Sequence, residues 1–455
     1  MLYTLLICRL VSNINIALAE ILFLLFCLNS LLVVTLAEVE SKVKNPALEG
    51  EGEKKIRWAR QHMPVLEGIK RDFEKRKPLN GQRIACCLHV TKETAVLMET
   101  LKAGGAQVAL CQSNPLSTQD DVASALAAEG ISVFAWRGVD TEGYYWSLNK
   151  VLDINPTITI DDGADLITEI HTKRTALAKG VLGGQEETTT GVIRLRAMAK
   201  QGKLVYPVIA INDTPTKHLF DNYYGTSQST IDGILRATNI LLAGSNFVVA
   251  GYGDCGKGLA ERAKGMGASV IVVEPRPVEA LRAHLNGFRV MPMAEAVMHA
   301  DIIVTVTGNK GVVREEHFKN LKDGAIIANS GHFNVEIDLP ALEKLSKAKM
   351  QIRDNAVEYE LKDGRRVFVL AEGRLVNLSA AEGHPSEVMD LSFANQALCA
   401  EYLSLHSKVL EKKVYLVPPE IDDKIARLKL KSLGIETEKL TPEQEKYLET
   451  WLEGT

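Results

Sequence analysis

The chain has 455 residues, of which 46% are apolar and 24% charged. That length allows two or three domains with large cores. Its 53 basic and 57 acidic side chains leave a net charge of −4, which excludes a chain-wide polycation for nucleic acid. With 34 Gly and 15 Pro, the composition is neither collagen-like nor disordered.

The first 40 residues stand apart: 29 are apolar, most of them at 16–37. That run is long enough for a bilayer span, but Glu20 and Asn29 interrupt it and Arg9 is its only basic flank. It lacks the basic n-region and A-x-A-like site of a signal peptide. The readings are a membrane anchor, a cleaved targeting segment, or residues outside the working protein. The third is the expectation, so no membrane contact is expected unless this extension is real.

Alternating strands and helices follow from about residue 81. Apolar runs at 83–89, 107–111, 131–136, 157–160 and 205–211 are separated by helical patterns at 92–102 and 118–129. The pattern restarts with strands at 247–250, 270–273, 301–306 and 325–328. The expected fold is α/β, with two Rossmann-like, doubly wound parallel-sheet domains and a C-terminal helical return segment. The expected boundaries are 1–40 for the extension, 41–222 for the first domain, 223–385 for the second, and 386–455 for the return.

The seven cysteines do not suggest a disulfide framework. No C-x-x-C or H-E-x-x-H occurs, so no metal site is expected. Reduced thiols in a cytoplasmic setting are the simpler expectation.

Gly251-Tyr252-Gly253-Asp254-Cys255-Gly256 is G-x-G-x-x-G, followed by Lys257 and Gly258. A strand precedes it and a helix follows. Glu274 closes the next strand 18 residues after Gly256. Such glycines let a pyrophosphate approach a helix N-terminus, and the acid accepts from the ribose diol, which favours NAD over NADP. Arg276 weakens that preference.

In the first unit, strand ends carry His89, Ser113-Asn114, Asp161-Asp162 and Asn212-Asp213, a convergent polar rim. Any one of these could be a turn former or cap. Glu186-Glu187-Thr188-Thr189-Thr190-Gly191 sets two acids beside three hydroxyls at a helix start. Lys217 and Asp221 stand at i and i+4, which also suits a surface ion pair. Asn329-Ser330-Gly331-His332 ends a strand, and Asn377 and Gly383-His384-Pro385 mark the return.

With these motifs the chain resembles the adenosylhomocysteinase (S-adenosyl-L-homocysteine hydrolase) family. The resemblance rests on Cys87-Leu88-His89, Asp161-Asp162-Gly163, Phe220-Asp221-Asn222, Gly331-His332-Phe333, Gly383-His384-Pro385-Ser386 and the run 371–378, and spans roughly 400 residues. It implies reversible hydrolysis of S-adenosyl-L-homocysteine to adenosine and L-homocysteine. Bound NAD transiently oxidises the ribose 3′-OH, and elimination, water addition and re-reduction follow.

The resemblance further implies that Lys217 and Asp221 address the 3′-OH. Lys217 would accept the proton provided burial or cationic neighbours lower its pKa. Glu187 would hold the ribose diol, with Asn212 near Lys217. His89 and Asp162 would move protons at C4′ and C5′, with His332 on the 5′ side. Thr91, Glu93 and His384 would line the adenine pocket. Thr188, Thr189, Thr190, Asn222, Glu274, Ser330, Gly331, His332 and Asn377 would join Gly251, Gly253, Asp254, Cys255, Gly256, Lys257 and Gly258 around NAD. A homo-oligomer, a tetramer, is implied as well.

Three positions depart from the family pattern. Thr226 stands where many members have a cysteine, and Glu279 where an asparagine often contacts NAD. The chain ends without a basic, tyrosine-bearing tail. Two other readings compete: a NAD-dependent dehydrogenase of the 2-hydroxyacid type, and a catalytically silent family member acting as a binding protein.

Overall fold

A computed structural model describes residues 40–452. The apolar run at 16–37, and the expectation that it lies outside the fold, fall outside the described residues. No helix among the described residues is long and apolar enough to cross a membrane.

Among the described residues, sixteen strands form two sheets. The first part of the chain supplies β1 (Lys42–Val43), β2 (Arg83–Leu88), β3 (Gln107–Gln112), β4 (Ser132–Ala135), β5 (Ile158–Asp161), β6 (Gly183–Glu186) and β7 (Val208–Ala210). The second supplies β8 (Asn246–Ala250), β9 (Ser269–Val273), β10 (Arg289–Val290), β11 (Ile302–Thr305), β12 (Ala325–Asn329), β13 (Ser346–Arg353), β14 (Ala356–Leu361) and β15 (Arg366–Leu370). The last strand, β16 (Val414–Leu416), returns to pair with β7. The helices that bear on the site are α1 (Lys92–Ala103), α2 (Thr189–Lys200), α3 (Asp254–Gly265), α4 (Ser386–His406) and α5 (Pro419–Ser432).

The first sheet runs β1-β4-β3-β2-β5-β6-β7-β16 and is parallel throughout. Both of its faces are covered, as parallel sheets require. Along β2, Ile84, Cys86 and Leu88 enter one apolar layer and Ala85 and Cys87 the opposite one. In β8, Phe247 and Val249 likewise separate from Val248 and Ala250. Continuous apolar runs in the sequence therefore read correctly as strands buried on both faces.

The second sheet runs β10-β9-β8-β11-β12-β15-β14-β13. It departs from the all-parallel expectation at one edge, where β13 pairs antiparallel with β14 and β14 with β15. A two-residue turn joins β13 to β14, and a hairpin needs no crossover helix. Two strands of the first sheet were hard to read from the sequence, β6 for want of apolar residues and β16 because its three apolar residues are so few. β6 reads Gly-Gly-Gln-Glu, and β16 lies in the charged C-terminal part. Together β16, α4 and α5 bring the segment after Pro385 back against the first sheet and the helices beside it.

Candidate functional site

Each sheet reverses its winding once, at β2/β5 in the first and β8/β11 in the second. Crevices at the carboxyl ends of strands beside such a reversal are where α/β sheets bind ligands. His89 follows β2, Asp162 follows β5 and Glu187 follows β6. All three line one cavity with Thr91, Glu93, Lys217, His332 and His384.

The alternation of strand side chains sorts the paired acids. Asp161 and Glu186, neighbours across β5 and β6, are fully buried and brace loops. Asp161 accepts from Asp162 N and Ile167 N (3.0 and 2.8 Å), and Glu186 from Gly163 N and Thr188 N (2.8 and 3.0 Å). Burial pushes Asp161 up to about 8 and Glu186 well above the carboxylate range. Asn114 is a turn residue, its Oδ1 accepting from Leu116 N at 2.9 Å.

At one end of the cavity, Asp162 stands between two histidines. Its oxygens lie 3.4 Å from His89 Nε2 and 3.5 Å from His332 Nδ1. The other nitrogen of His89 is tied to Ser117 Oγ at 2.7 Å. Burial holds His89 down at about 4 although Asp162 opposes this, so the imidazole is neutral at pH 7. The ligand-capable atoms of all three lie within 4.8 Å of one another, a spacing that could also hold a cation, where the sequence led to none being expected.

Lys217 occupies the middle. It ends a short helix, Pro215–Lys217, that continues as a π-helical stretch, His218–Gly225. Wide turns of this kind are rare and concentrate at functional sites. Here Lys217 Nζ meets Asp221 at i+4 (3.1 Å) and Asn222 at i+5 (2.7 Å), besides Asn212 Oδ1 (3.3 Å) and Glu187 Oε1 (3.5 Å).

The expected lowering of the Lys217 pKa is not found. Burial works against the ammonium, but Asp221 and then Glu187 outweigh it and raise the pKa. Burial opposes ionisation of Asp221 too, yet Lys217 and then His384 hold its pKa below the carboxylate range. Glu187 is pushed up to about 8 by burial, with Lys217 opposing. Asp221 is also not on the cavity wall: it lies behind Lys217, bonded to His384 Nδ1 and accepting from Ser392 Oγ at 2.9 Å. It therefore meets the cavity through Lys217 and His384.

At the far end, Glu93 Oε1 accepts from Ser386 Oγ (2.6 Å) and lies 3.2 Å from Lys92 Nζ. Thr91 caps α1, accepting from Thr94 N. His384 Nε2 lies 3.3 Å from Thr226 Oγ1 and 3.2 Å from Asn377 Nδ2. Thr226 in turn donates to Cys255 Sγ at 3.5 Å, so a thiol does stand at this point, supplied by the glycine turn.

The second cleft, of about 700 Å³, lies within the range of ligand sites, about 300–1,000 Å³. Gly251, Gly253, Asp254, Cys255 and Glu274 line it, with Thr188, Thr189, Thr190, Asn212 and Asn222 from the first part and Ser330, Gly331 and His332 from the loop after β12. Asn377 lines the substrate cavity.

Gly253 caps α3 without a side-chain bond, leaving first-turn amides for an anion. Glu274 is fixed by Tyr252 N (2.7 Å) and by Arg276 N and Nε (2.9 and 3.0 Å). This donor and acceptor set fits NAD. Gly256, Lys257 and Gly258 are not on the wall. A Cβ on Gly256 would lie 2.0 Å from Gly251 O, and one on Gly258 2.0 Å from Tyr223 O. Lys257 turns to Glu279 at 2.9 Å. The first two glycines of the motif face the ligand; the later ones allow close packing.

Sequence reasoning missed Ser386, Met389, Ser392, Phe393 and Gln396 of α4, and Glu336. Glu336 ties down the loop after β11, accepting from Thr307 N (3.0 Å) and Gly308 N (2.7 Å). The signal for α4 was weak in the sequence: Ser386, Ser392, Asn395 and Gln396 sit in a helix that also carries Glu387, Asp390, Glu401, Ser404 and His406, and only the fold shows which of these polar residues are buried.

Comparison with known proteins agrees with this arrangement. Residues 40–176 match the family described as S-adenosyl-L-homocysteine hydrolase, and 222–383 match its NAD binding domain. An adenosylhomocysteinase of Aquifex aeolicus is 63% identical over 418 residues, 92% of this chain and 100% of that protein. An S-inosyl-L-homocysteine hydrolase of Methanocaldococcus jannaschii is 56% identical, covering 91% and 100%. Among solved structures, a dipicolinate synthase polypeptide of Bacillus halodurans aligns with a TM-score of 0.46 at 13% identity, over 72% of this chain and 99% of that one. The chain belongs to the S-adenosyl-L-homocysteine hydrolase family.

Proposed function

We propose that this chain hydrolyses S-adenosyl-L-homocysteine reversibly to adenosine and L-homocysteine, using bound NAD. The observation that carries the reading is the seam between cavity and cleft. Thr188, Asn222, Cys255 and Ser330 line both, and Lys217 opens there between two carboxylates. NAD held in the cleft would supply the reversible hydride acceptor for ribose C3′.

A thioether at C5′ leaves poorly, but a ketone at C3′ acidifies the C4′ proton and permits elimination. In this reading the O3′ proton passes to Lys217 Nζ while Lys217 hands its own proton to Glu187. Glu187, poised near 8, is a ready acceptor, and the cluster gains one proton overall. Asp221 holds Lys217 in place. Neutral His89 with Asp162 takes the C4′ proton and protonates the departing sulfur; the same groups serve water addition, with His332 alongside. Glu93 accepts from the exocyclic amine of adenine, beside Thr91 and His384. The residues around the second cleft hold NAD, with Asn377 and the packing glycines in support.

The domain division at 222/223 and 385/386, a homotetramer and a cytoplasmic location belong to the same proposal. Sedimentation and cell fractionation test the last two.

The functional experiment is incubation of NAD-loaded protein with S-adenosyl-L-homocysteine under thiol detection. Equal amounts of homocysteine and adenosine are expected. No thiol, with NADH accumulating from a 2-hydroxy acid, would instead favour the dehydrogenase reading. Binding without any turnover would favour a silent member.

A further inference from the structure

Helix α4 meets the site at three carboxyl groups. Ser386 Oγ donates to Glu93 (2.6 Å), Ser392 Oγ to Asp221 Oδ2 (2.9 Å), and Gln396 Nε2 to Glu187 Oε2. The three donors are buried, at 5%, 0% and 0% exposure. Ser386, Met389, Phe393 and Gln396 recur at i, i+3, i+7 and i+10, one helical face, with Ser392 at its flank. Met389 and Phe393 wall the substrate cavity.

Buried serines in helices commonly bond back to the carbonyl four residues earlier. Ser392 instead donates across to Asp221. The backbone at Gln396 is itself anchored: its main-chain carbonyl accepts from Gln185 Nε2 at 3.1 Å, on the strand that leads into Glu187. The donor to Glu187 therefore stands in fixed register with it. Glu187 Oε1 has no hydrogen-bond partner among the described residues and faces Lys217 at 3.5 Å. Gln396 thus sets which way the carboxyl group points. On the other side, Asp221 Oδ2 is shared between Ser392 and Lys217.

We infer that Ser392 and Gln396 are positioning residues for proton transfer at the ribose 3′-hydroxyl, aiming Asp221 and Glu187 at Lys217 from its two sides. The inference rests on the role proposed above for Lys217. Both donors also favour the ionised carboxylates. Without the Gln396 donor, Glu187 shifts toward its protonated form, which cannot receive the proton of Lys217.

The test uses the NAD-loaded full chain carrying Gln396→Met, which removes the donor at similar volume, or Ser392→Ala. The readouts are kcat and KM for S-adenosyl-L-homocysteine across pH, and thermal stability. A charge-assisted bond of this kind predicts a kcat lower by about 10- to 100-fold, with KM within about threefold. In Gln396→Met the acid-side inflection of kcat moves to higher pH. Ser392→Cys, which keeps a weak donor, recovers part of the loss.

A kcat within about twofold of the parent overturns the inference, since loss of the bond must cost more than that. So does a fall that tracks a lowered Tm while the pH inflection stays fixed. If the parent chain releases no thiol, the reading of the site fails, whatever the variants do.

Discussion

Lys217 Nζ lies 3.1 Å from Asp221 Oδ2, with both groups shut off from solvent and the pair joined by a π-helical turn. A buried ammonium held this way stays charged until one of its carboxylate neighbours takes the proton. Glu187, 3.5 Å away on the other side, is that neighbour.

Replacing Lys217 therefore interrupts the first chemical step. Lys217→Met keeps much of the side-chain volume but leaves no nitrogen to receive the O3′ proton. Loss of general-base catalysis predicts a kcat lower by about 10²–10⁴-fold. Because Asp221 and Glu187 then face each other without a cation, stability at pH 8 also falls. Steady-state rates and thermal melts read both effects. A normal turnover would remove Lys217 from the mechanism.

The pH dependence of kcat/KM follows from Glu187. Its burial-raised pKa of about 8 means that the ionised form, which the proton relay needs, grows in as pH rises toward that value. The rate is expected to increase between pH 6 and 8 with an inflection near 8 for the free enzyme. In Glu187→Gln that inflection disappears together with most of the activity. An inflection near pH 5 in the parent would mean that burial does not govern this group.

Stability carries the mark of the other buried acids. A carboxyl whose folded pKa is raised binds its proton more tightly when folded. The folded state is thus unpenalised below the unfolded pKa, near 4, and loses stability as pH climbs to the folded value, about 8 for Asp161. Glu186 is raised in the same direction, by burial first and then by Asp161. Glu186→Gln, isosteric and unable to ionise, should match the parent in Tm at pH 4.5 and exceed it by a margin that widens toward pH 9. A constant difference across that range would contradict the buried, proton-holding state.

Glu93 addresses which nucleoside the enzyme prefers, a live question when relatives carry both adenosyl and inosyl names. A carboxylate accepts from the amine of adenine and repels the O6 carbonyl of hypoxanthine. Glu93→Gln offers a donor as well as an acceptor. The ratio of kcat/KM for S-adenosyl- over S-inosyl-homocysteine should fall about tenfold or more. An unchanged ratio would move base recognition elsewhere.

Gly331 sits where the loop after β12 passes Glu336. A Cβ there would lie 1.8 Å from Glu336 Oε1, the atom that accepts from Gly308 N. Gly331→Ala is expected to displace this loop, with an overpacking cost of about 1–3 kcal/mol. NAD retention after gel filtration should drop, and a variant that retains NAD fully would show that this contact is dispensable.

Much of this arrangement was legible in the sequence because it depends on local pattern. Apolar runs buried on both faces announced β2, β8 and β11. The spacing from Gly251 to Glu274 announced the cofactor cleft. His89 and Asp162 stood out as polar residues at strand ends, and Glu187 as one of two acids at a helix start. What stayed hidden depends on partners distant in sequence. β6, with Gly183 and Gly184, has no strand signal of its own and is held by β5 and β7. Ser392 and Gln396 are ordinary helix residues until the fold brings them against Asp221 and Glu187. The Lys217 pKa followed the same logic: burial was foreseeable, but two carboxylates on either side reverse its effect.

Hydrolysis through transient oxidation at C3′, with Lys217 as the receiving nitrogen, requires the C4′ proton to exchange with solvent. NAD-loaded enzyme incubated with adenosine in D₂O tests it, with the adenosine recovered for NMR or mass analysis. Deuterium at C4′ is expected with the parent chain and none with Lys217→Met. Release of homocysteine from S-adenosyl-L-homocysteine, with no exchange at C4′ of adenosine, would contradict it.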